Sequence, residues 1–116
     1  MTEIYRLTIP SRPRPKGRPR FGRGGRAYTP ADTLKYEKLI RETAEAVGVT
    51  PLESNDIHFA VNVYFRNKTH GDVDNYVKIA QDALNKVAYN DDKQIKHIEG
   101  HLYYDVDERM EIVISA

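Results

Sequence analysis

HGDVDNYVKIAQDALNKVAYNDDKQI, residues 70–95, places carboxylates at both ends of one short amphipathic segment. Val77, Ala80, Leu84 and Val87 recur at i, i+3, i+7 and i+10, a single stripe at 3.6 residues per turn, so the spacing predicts a helix. Asp74 or Asn75 is the expected N-cap, accepting from first-turn N–H groups that have no partner inside the helix. Asp72 then falls just outside, in an extended loop whose shape Gly71 helps to set. Lys78 follows Asp74 by four residues and Asp82 follows Lys78 by four, which lines all three along one face. Beyond the helix, Tyr89-Asn90-Asp91-Asp92 reads as a polar turn able to return a further carboxylate to the same end.

That pattern suits a hard divalent cation. Mg²⁺ takes oxygen ligands and keeps several waters, so two or three carboxylates with room for a phosphate match it better than a full protein cage. No cysteine is present, which excludes thiolate zinc sites. The competing reading makes Asp74 only a cap, Asp91-Asp92 only a solvated turn, and Lys78 with Asp82 only a surface ion pair.

Working outward, Ile57 to Arg66 alternates Ile57, Phe59, Val61, Val63 and Phe65 against His58, Asn62, Tyr64 and Arg66, the period of a strand half buried on one face. It runs directly into the Asp72 loop, which puts the acidic site at the C-terminal end of a central strand. Ile95–Tyr104 and Met110–Ser115 read as two more strands joined by the acidic turn 105–108. Upstream, Thr29 as N-cap, Pro30 at the first helical position and Asp32 as the acid of a capping box start a helix expected to reach about Val47. Leu34, Ile40, Ala44 and Val47 approximate its inward stripe, and Gly48 stops it. Thr2–Pro10 reads as a first strand. The order is β-α-β-α-β-β, which predicts one α+β domain over 1–116 with two main helices on a mixed sheet.

Between the first strand and the first helix lies SRPRPKGRPRFGRGGRAY, residues 11–28, with no helical or strand period because prolines and glycines interrupt it. Arg12, Arg14, Lys16, Arg18, Arg20, Arg23 and Arg26 alternate with those breakers, so the backbone can follow a curved surface while guanidinium forks reach phosphates. Phe21 and Tyr28 add faces on which a base can stack. The net charge of +1 hides an asymmetry: residues 1–31 hold eight Lys/Arg against Glu3 alone, and the remainder holds ten against sixteen acids. A basic arm on an acidic body fits contact with phosphate through the arm and a cation on the body. The plainer alternative is a disordered basic tail that binds polyanions without discrimination.

The residues also carry a resemblance. Asp72-Val73-Asp74-Asn75, Lys78, Asp82-Ala83-Leu84 and Asp91-Asp92-Lys93-Gln94 resemble the motif of the RusA-like family of Holliday junction resolvases, and Arg18-Pro19-Arg20-Phe21 with Tyr28-Thr29-Pro30 is similar to its phage-type members. The resemblance implies a homodimeric, Mg²⁺-dependent endonuclease of branched DNA, with Mn²⁺ as a possible substitute. On that reading Asp72, Asp74 and Asp92 anchor metal, Asp91 is the alternative to Asp92, and Lys78 faces the scissile phosphate. Arg12, Arg14, Lys16, Arg18, Arg20, Phe21, Arg23 and Arg26 then touch DNA. Two other classes compete: a flap- or fork-selective nuclease, and a non-catalytic nucleic-acid-binding module. Thirty per cent charged residues and no apolar run near 18 residues argue against a membrane span. With no apolar signal core at the N-terminus and no cysteine, the cytoplasm is the expected location. His97 and His101 share one strand face, but no third ligand is fixed by a motif, which leaves zinc there a remote expectation.

Overall fold

The computed structural model describes all 116 residues, Met1–Ala116. Its central strand, β4 (Ile57–Phe65), buries every odd residue and leaves the even ones half exposed. That alternation orients the whole sheet. β6 (Arg109–Ser115) pairs antiparallel to β4 and to β1 (Glu3–Ile9), while β5 (Ile95–Tyr104) pairs parallel to β4, giving the order β1-β6-β4-β5. Leu7, Ile9, Met110, Ile112 and Ile114 continue the buried face across the neighbouring strands. Both helices, α1 (Ala31–Ala46) and α2 (Val73–Leu84), cover that face. The expected β-α-β-α-β-β order is therefore the observed one, with a small hairpin added inside the basic stretch.

β4, α2 and β5 form a parallel crossover unit, and its geometry determines where the acidic residues go. After β5, the turn at 105–108 passes over the end of β4, pinned by the Asp105 N–H to the Phe65 carbonyl at 2.9 Å. β5 and β6 are thus consecutive in sequence but lie on opposite sides of β4.

α1 departs from the expected stripe. Leu34 and Val47 are 52% and 59% exposed, and the inward face is Thr33, Tyr36, Glu37, Ile40 and Ala44. Ile40 and Ala44 face inward as expected, and Thr33, Tyr36 and Glu37 take the places expected of Leu34 and Val47, with the basic stretch packed on that end of the helix, where the Gly17 N–H donates to Thr33 Oγ1 at 3.0 Å. Pro30 rather than Thr29 stands at the N-cap, and no side chain caps this end.

α2 packs so closely on β5 that Gly100 has no room for a side chain: a Cβ there would lie 2.8 Å from Val77 Cγ2 and 3.2 Å from Val73 Cγ2. Valine is stiff at χ1 and cannot swing aside. Gly100→Ala is expected to cost about 1–3 kcal/mol through overpacking, read as a lowered denaturant midpoint with an unchanged slope. A wild-type midpoint would mean that α2 shifts freely on the sheet.

Candidate active site

Asp72 and Asp74 stand together at the start of α2. Asp72 is the N-cap residue, with extended backbone, and Asp74 lies in the first turn; neither carboxylate makes a capping hydrogen bond. The expected use of Asp74 or Asn75 as the cap is therefore not what the chain does. Both acids are exposed and uncommitted at a helix N-terminus, where the partial positive charge of the unpaired N–H groups favours anions. Lys78 is exposed one turn further on, and its ammonium lies 3.7 Å from Asp82.

The loop that presents Asp72 is braced from three sides. The Gly71 N–H donates to the Tyr76 hydroxyl at 2.8 Å, and His70 Nε2 meets the Tyr104 hydroxyl at 2.8 Å. Burial pushes the Tyr76 phenol above its ordinary value, while the Gly71 hydrogen bond and the Arg12 charge pull it the other way. His70 stacks on Phe65 with ring centroids 4.8 Å apart, and the Arg12 guanidinium sits 5.0 Å from the same Phe65 ring. Arg12 also pairs with Glu108 and donates to the Thr69 carbonyl. Its side chain is thus engaged in holding the Asp72 loop to the sheet.

Lys16 has a similar inward role. Its Nζ lies 3.0 Å from Asp82 Oδ2 and 3.4 Å from Glu37 Oε1, and its N–H donates to the Asn75 carbonyl at 3.0 Å. Burial works against its charged form, but hydrogen bonds and charge from Asp82 and then Glu37 outweigh it, so the pKa rises above 10.5. The tether therefore contributes fully below the free-lysine value and fades only as pH climbs past the folded one. One ammonium locks the basic stretch onto both helices.

Beyond Gly17 the stretch is a protruding hairpin. β2 (Arg20–Phe21) pairs with β3 (Ala27–Tyr28) around a turn in which Gly24 and Gly25 have φ of 78° and 75°, a conformation that glycine adopts without strain. Arg14, Arg18, Arg20, Arg23 and Arg26 are exposed, and the ion pairs of the stretch belong to Arg12 and Lys16 instead. Phe21, at the hairpin, is 74% exposed. The seven expected phosphate-binding cations thus divide into two that are anchored inward and five that face solvent.

The expected return of Asp91 or Asp92 to the Asp72 end does not occur within the chain. α2 runs 12 residues, about 18 Å, away from Asp72, and a 3₁₀ turn at Asp92–Gln94 then leads into β5 at the other end of the sheet. Asp91 is the N-cap of that turn, accepting from the Lys93 N–H at 2.9 Å in a capping box with Gln94. Asp92 is exposed, with its carboxylate free. No group of three or more carboxylates and histidines gathers within one chain. On the open sheet face Glu99 lies 3.4 Å from His58 and 3.5 Å from His101, bridging two imidazoles without forming a three-ligand site.

Sequence reasoning missed Glu37 and the inward use of Lys16 and Arg12. Glu37 follows Tyr36 and precedes Ile40 by three, a spacing that puts it on the buried stripe. Residue type alone could not separate Lys16 from the other cations around it.

An α+β domain that sets an acidic helix N-terminus and an exposed lysine against a basic stretch, tied to that helix by the Lys16 N–H and continuing into an aromatic-bearing hairpin, has the parts of a nucleic-acid-binding protein. Residues 10–115 match the family model described as Endodeoxyribonuclease RusA, and the chain belongs to that family. It is also 26% identical, over an alignment of 136 residues, to the uncharacterized protein YqaN of Bacillus subtilis (strain 168), covering 97% of this chain and 96% of that protein. No helix is long and apolar enough to cross a membrane.

Proposed function

We propose that this chain is a divalent-metal-dependent endodeoxyribonuclease that resolves four-way DNA junctions as a homodimer, in recombination and repair and in the cytoplasm. The observation that carries the reading is the pair of uncommitted carboxylates, Asp72 and Asp74, one helical turn from Lys78. Two carboxylates are what Mg²⁺ takes from protein when water and phosphate complete its shell, so these residues fit the ion that the family implies. Mg²⁺, or Mn²⁺ in its place, when bound there supplies Lewis acidity toward water and the phosphodiester. Lys78 contributes a compact positive charge toward the non-bridging oxygens of the scissile phosphate. Arg14, Arg18, Arg20, Arg23 and Arg26 hold the flanking backbone, and Phe21 offers a face to a base unstacked at the branch point. A four-way junction needs two matched cuts, which a two-fold dimer provides with one site per subunit.

The test is gel analysis of a labelled four-way junction beside duplex, flap and single strand, with Mg²⁺ and with EDTA. Paired, metal-dependent cuts in the junction support the reading. A preference for the flap moves the chain to the flap nucleases, and binding without product in any metal makes it a binding module.

The arm makes its own prediction. Replacing Arg18 and Arg20 with Ala should weaken binding to every branched substrate and reduce the slope of log K against log salt by roughly 0.7–0.9 per lost phosphate contact. Lys16→Ala should instead lower thermal stability, because it leaves Glu37 and Asp82 without their shared cation. An unchanged salt slope for the double arginine variant would show that the hairpin does not touch the backbone.

A further inference from the structure

The N-terminal end of α1 is open. Pro30 brings no N–H, no side chain caps the turn, and the N–H groups of Ala31, Asp32 and Thr33 find no acceptor in the chain. Two clefts meet at this end and share Arg14 and Asp32. One, of about 430 Å³, adds Arg18, Arg20 and Thr33, and the other, of about 290 Å³, adds Lys35 and Tyr36. Resting on the reading that this chain acts on DNA, we infer that the two clefts form one phosphate site. In it the first-turn N–H groups of α1, Arg14, Lys35 and the Tyr36 hydroxyl hold a phosphate of the strand beside the active-site loop.

Tyr36 is what separates this end from an ordinary helix terminus. Its side chain lines the second cleft, the residue is only 4% exposed, and its hydroxyl has no hydrogen-bond partner. A buried donor left unpaired costs stability, and an anionic oxygen offsets that cost. Burial pushes the phenol above its ordinary value, Tyr76 adds to the shift and the Arg14 charge opposes it. The group therefore stays a protonated donor, with Arg14 near enough to share an anion with it.

The charge on the walls has one sign with a single exception. Arg14, Arg18, Arg20 and Lys35 face one acid, Asp32. All four cations are exposed, and the lysine of α1 that pairs along the helix is Lys38, not Lys35. Positive side chains and an uncapped helix N-terminus then converge on the same space, where the macrodipole favours an anion.

The position suits strand placement. Pro15, next to Arg14, lies against the Asp72 loop, since a Cβ added to Gly71 would stand 3.6 Å from Pro15 Cβ. Lys16, one residue further, donates its N–H to the Asn75 carbonyl in the first turn of α2. A phosphate seated at α1 thus fixes the strand relative to Asp72 and Asp74 through a rigid connection.

The first probe is inorganic phosphate, followed by the amide chemical shifts of the wild-type chain. The Ala31, Asp32 and Thr33 amides should move and saturate. Tyr36→Phe should weaken the affinity by about tenfold or more, and Lys35→Ala by about threefold. Asp32→Asn should tighten it, and Lys38→Ala, which removes a charge from the same helix outside the clefts, should change nothing. Tyr36→Phe should melt no lower than wild type, because it deletes a hydroxyl without a partner. On a four-way junction both weakening variants should lose affinity and keep the wild-type single-turnover rate at saturating enzyme, as positioning residues do. A single strand with a 5′-phosphate, beside the same strand with a 5′-hydroxyl, identifies the source. Equal affinity is expected, because Arg18 and Arg20 continue the track past the cleft along an internal backbone; tighter binding of the phosphorylated end would assign the same site to a terminal phosphate. Amides unmoved by phosphate, or wild-type affinity in both Tyr36→Phe and Lys35→Ala, overturn the site and leave the nuclease reading standing. A wild type that responds to phosphate and cuts no junction overturns that reading and leaves the site.

Discussion

Asp74→Asn is expected to leave junction binding intact or stronger and to slow cleavage by on the order of 10²–10³-fold or more. The argument rests on what Asp74 does not do in the fold. Its carboxylate caps nothing and pairs with nothing, and an amide of the same shape removes only a favourable first-turn charge, about 0.3–1 kcal/mol. The loss should therefore appear in chemistry and hardly at all in stability. Binding tightens because one negative charge leaves the neighbourhood of the phosphates. Asp91→Asn should behave differently, because Asp91 caps a 3₁₀ turn and asparagine is nearly as good a cap. Gel shifts without divalent metal, single-turnover cleavage with Mg²⁺ and a thermal melt separate the three quantities. Wild-type turnover by Asp74→Asn would remove the carboxylate pair from the mechanism.

Much of this architecture was legible because the buried face of β4 alternates without interruption and the 70–84 segment holds one helical stripe. What the sequence misled on has common physical roots. The polar turn at Asn90-Asp91-Asp92 was expected to fold back because the reading was local. A parallel β-α-β crossover instead returns the chain to the start of the sheet, carrying any carboxylate after the helix to the far pole. Pairing partners are non-local information, and a helix about 18 Å long turns a sequence separation of eighteen residues, from Asp74 to Asp92, into a separation of sites. Likewise, the basic stretch looked uniform because its cations are identical in type. Burial distinguishes them: Lys16 lies where two helices can offer acids, and Arg12 where Phe65 offers a ring face and Glu108 a carboxylate. Cap placement failed on a smaller scale at both helices. Side-chain caps are a preference among alternatives, and leaving Asp72 and Asp74 uncapped keeps both oxygen pairs available.

The tether at Lys16 also bears on the role proposed for Lys78, since the carboxylate it holds is the one that Lys78 approaches. Asp82 gives one oxygen to Lys16 at 3.0 Å and the other to Lys78 at 3.7 Å. The closer and less exposed contact is with Lys16. Asp82 therefore does not depend on Lys78 for its counter-charge, and Lys78 is held loosely, on the solvent side of α2, in reach of whatever lies over Asp74.

From this follows the expectation for Lys78→Ala. As a surface ion pair the contact is worth about 0–1 kcal/mol, so the melting temperature should barely move. If the ammonium faces the scissile phosphate, turnover should fall by on the order of 30-fold, about 2 kcal/mol of transition-state stabilisation, with junction affinity little changed. Lys78→Arg should restore only part of the rate, because a planar fork cannot reproduce a compact charge beside the scissile phosphate. Lys16→Ala is the contrasting variant: it should lose stability first and activity only as the hairpin and α2 loosen. Single-turnover cleavage at saturating enzyme, beside a thermal melt, distinguishes the two lysines. A Lys78→Ala protein with the wild-type single-turnover rate would confine Lys78 to the surface pair and leave the carboxylates as the whole of the chemistry supplied by α2.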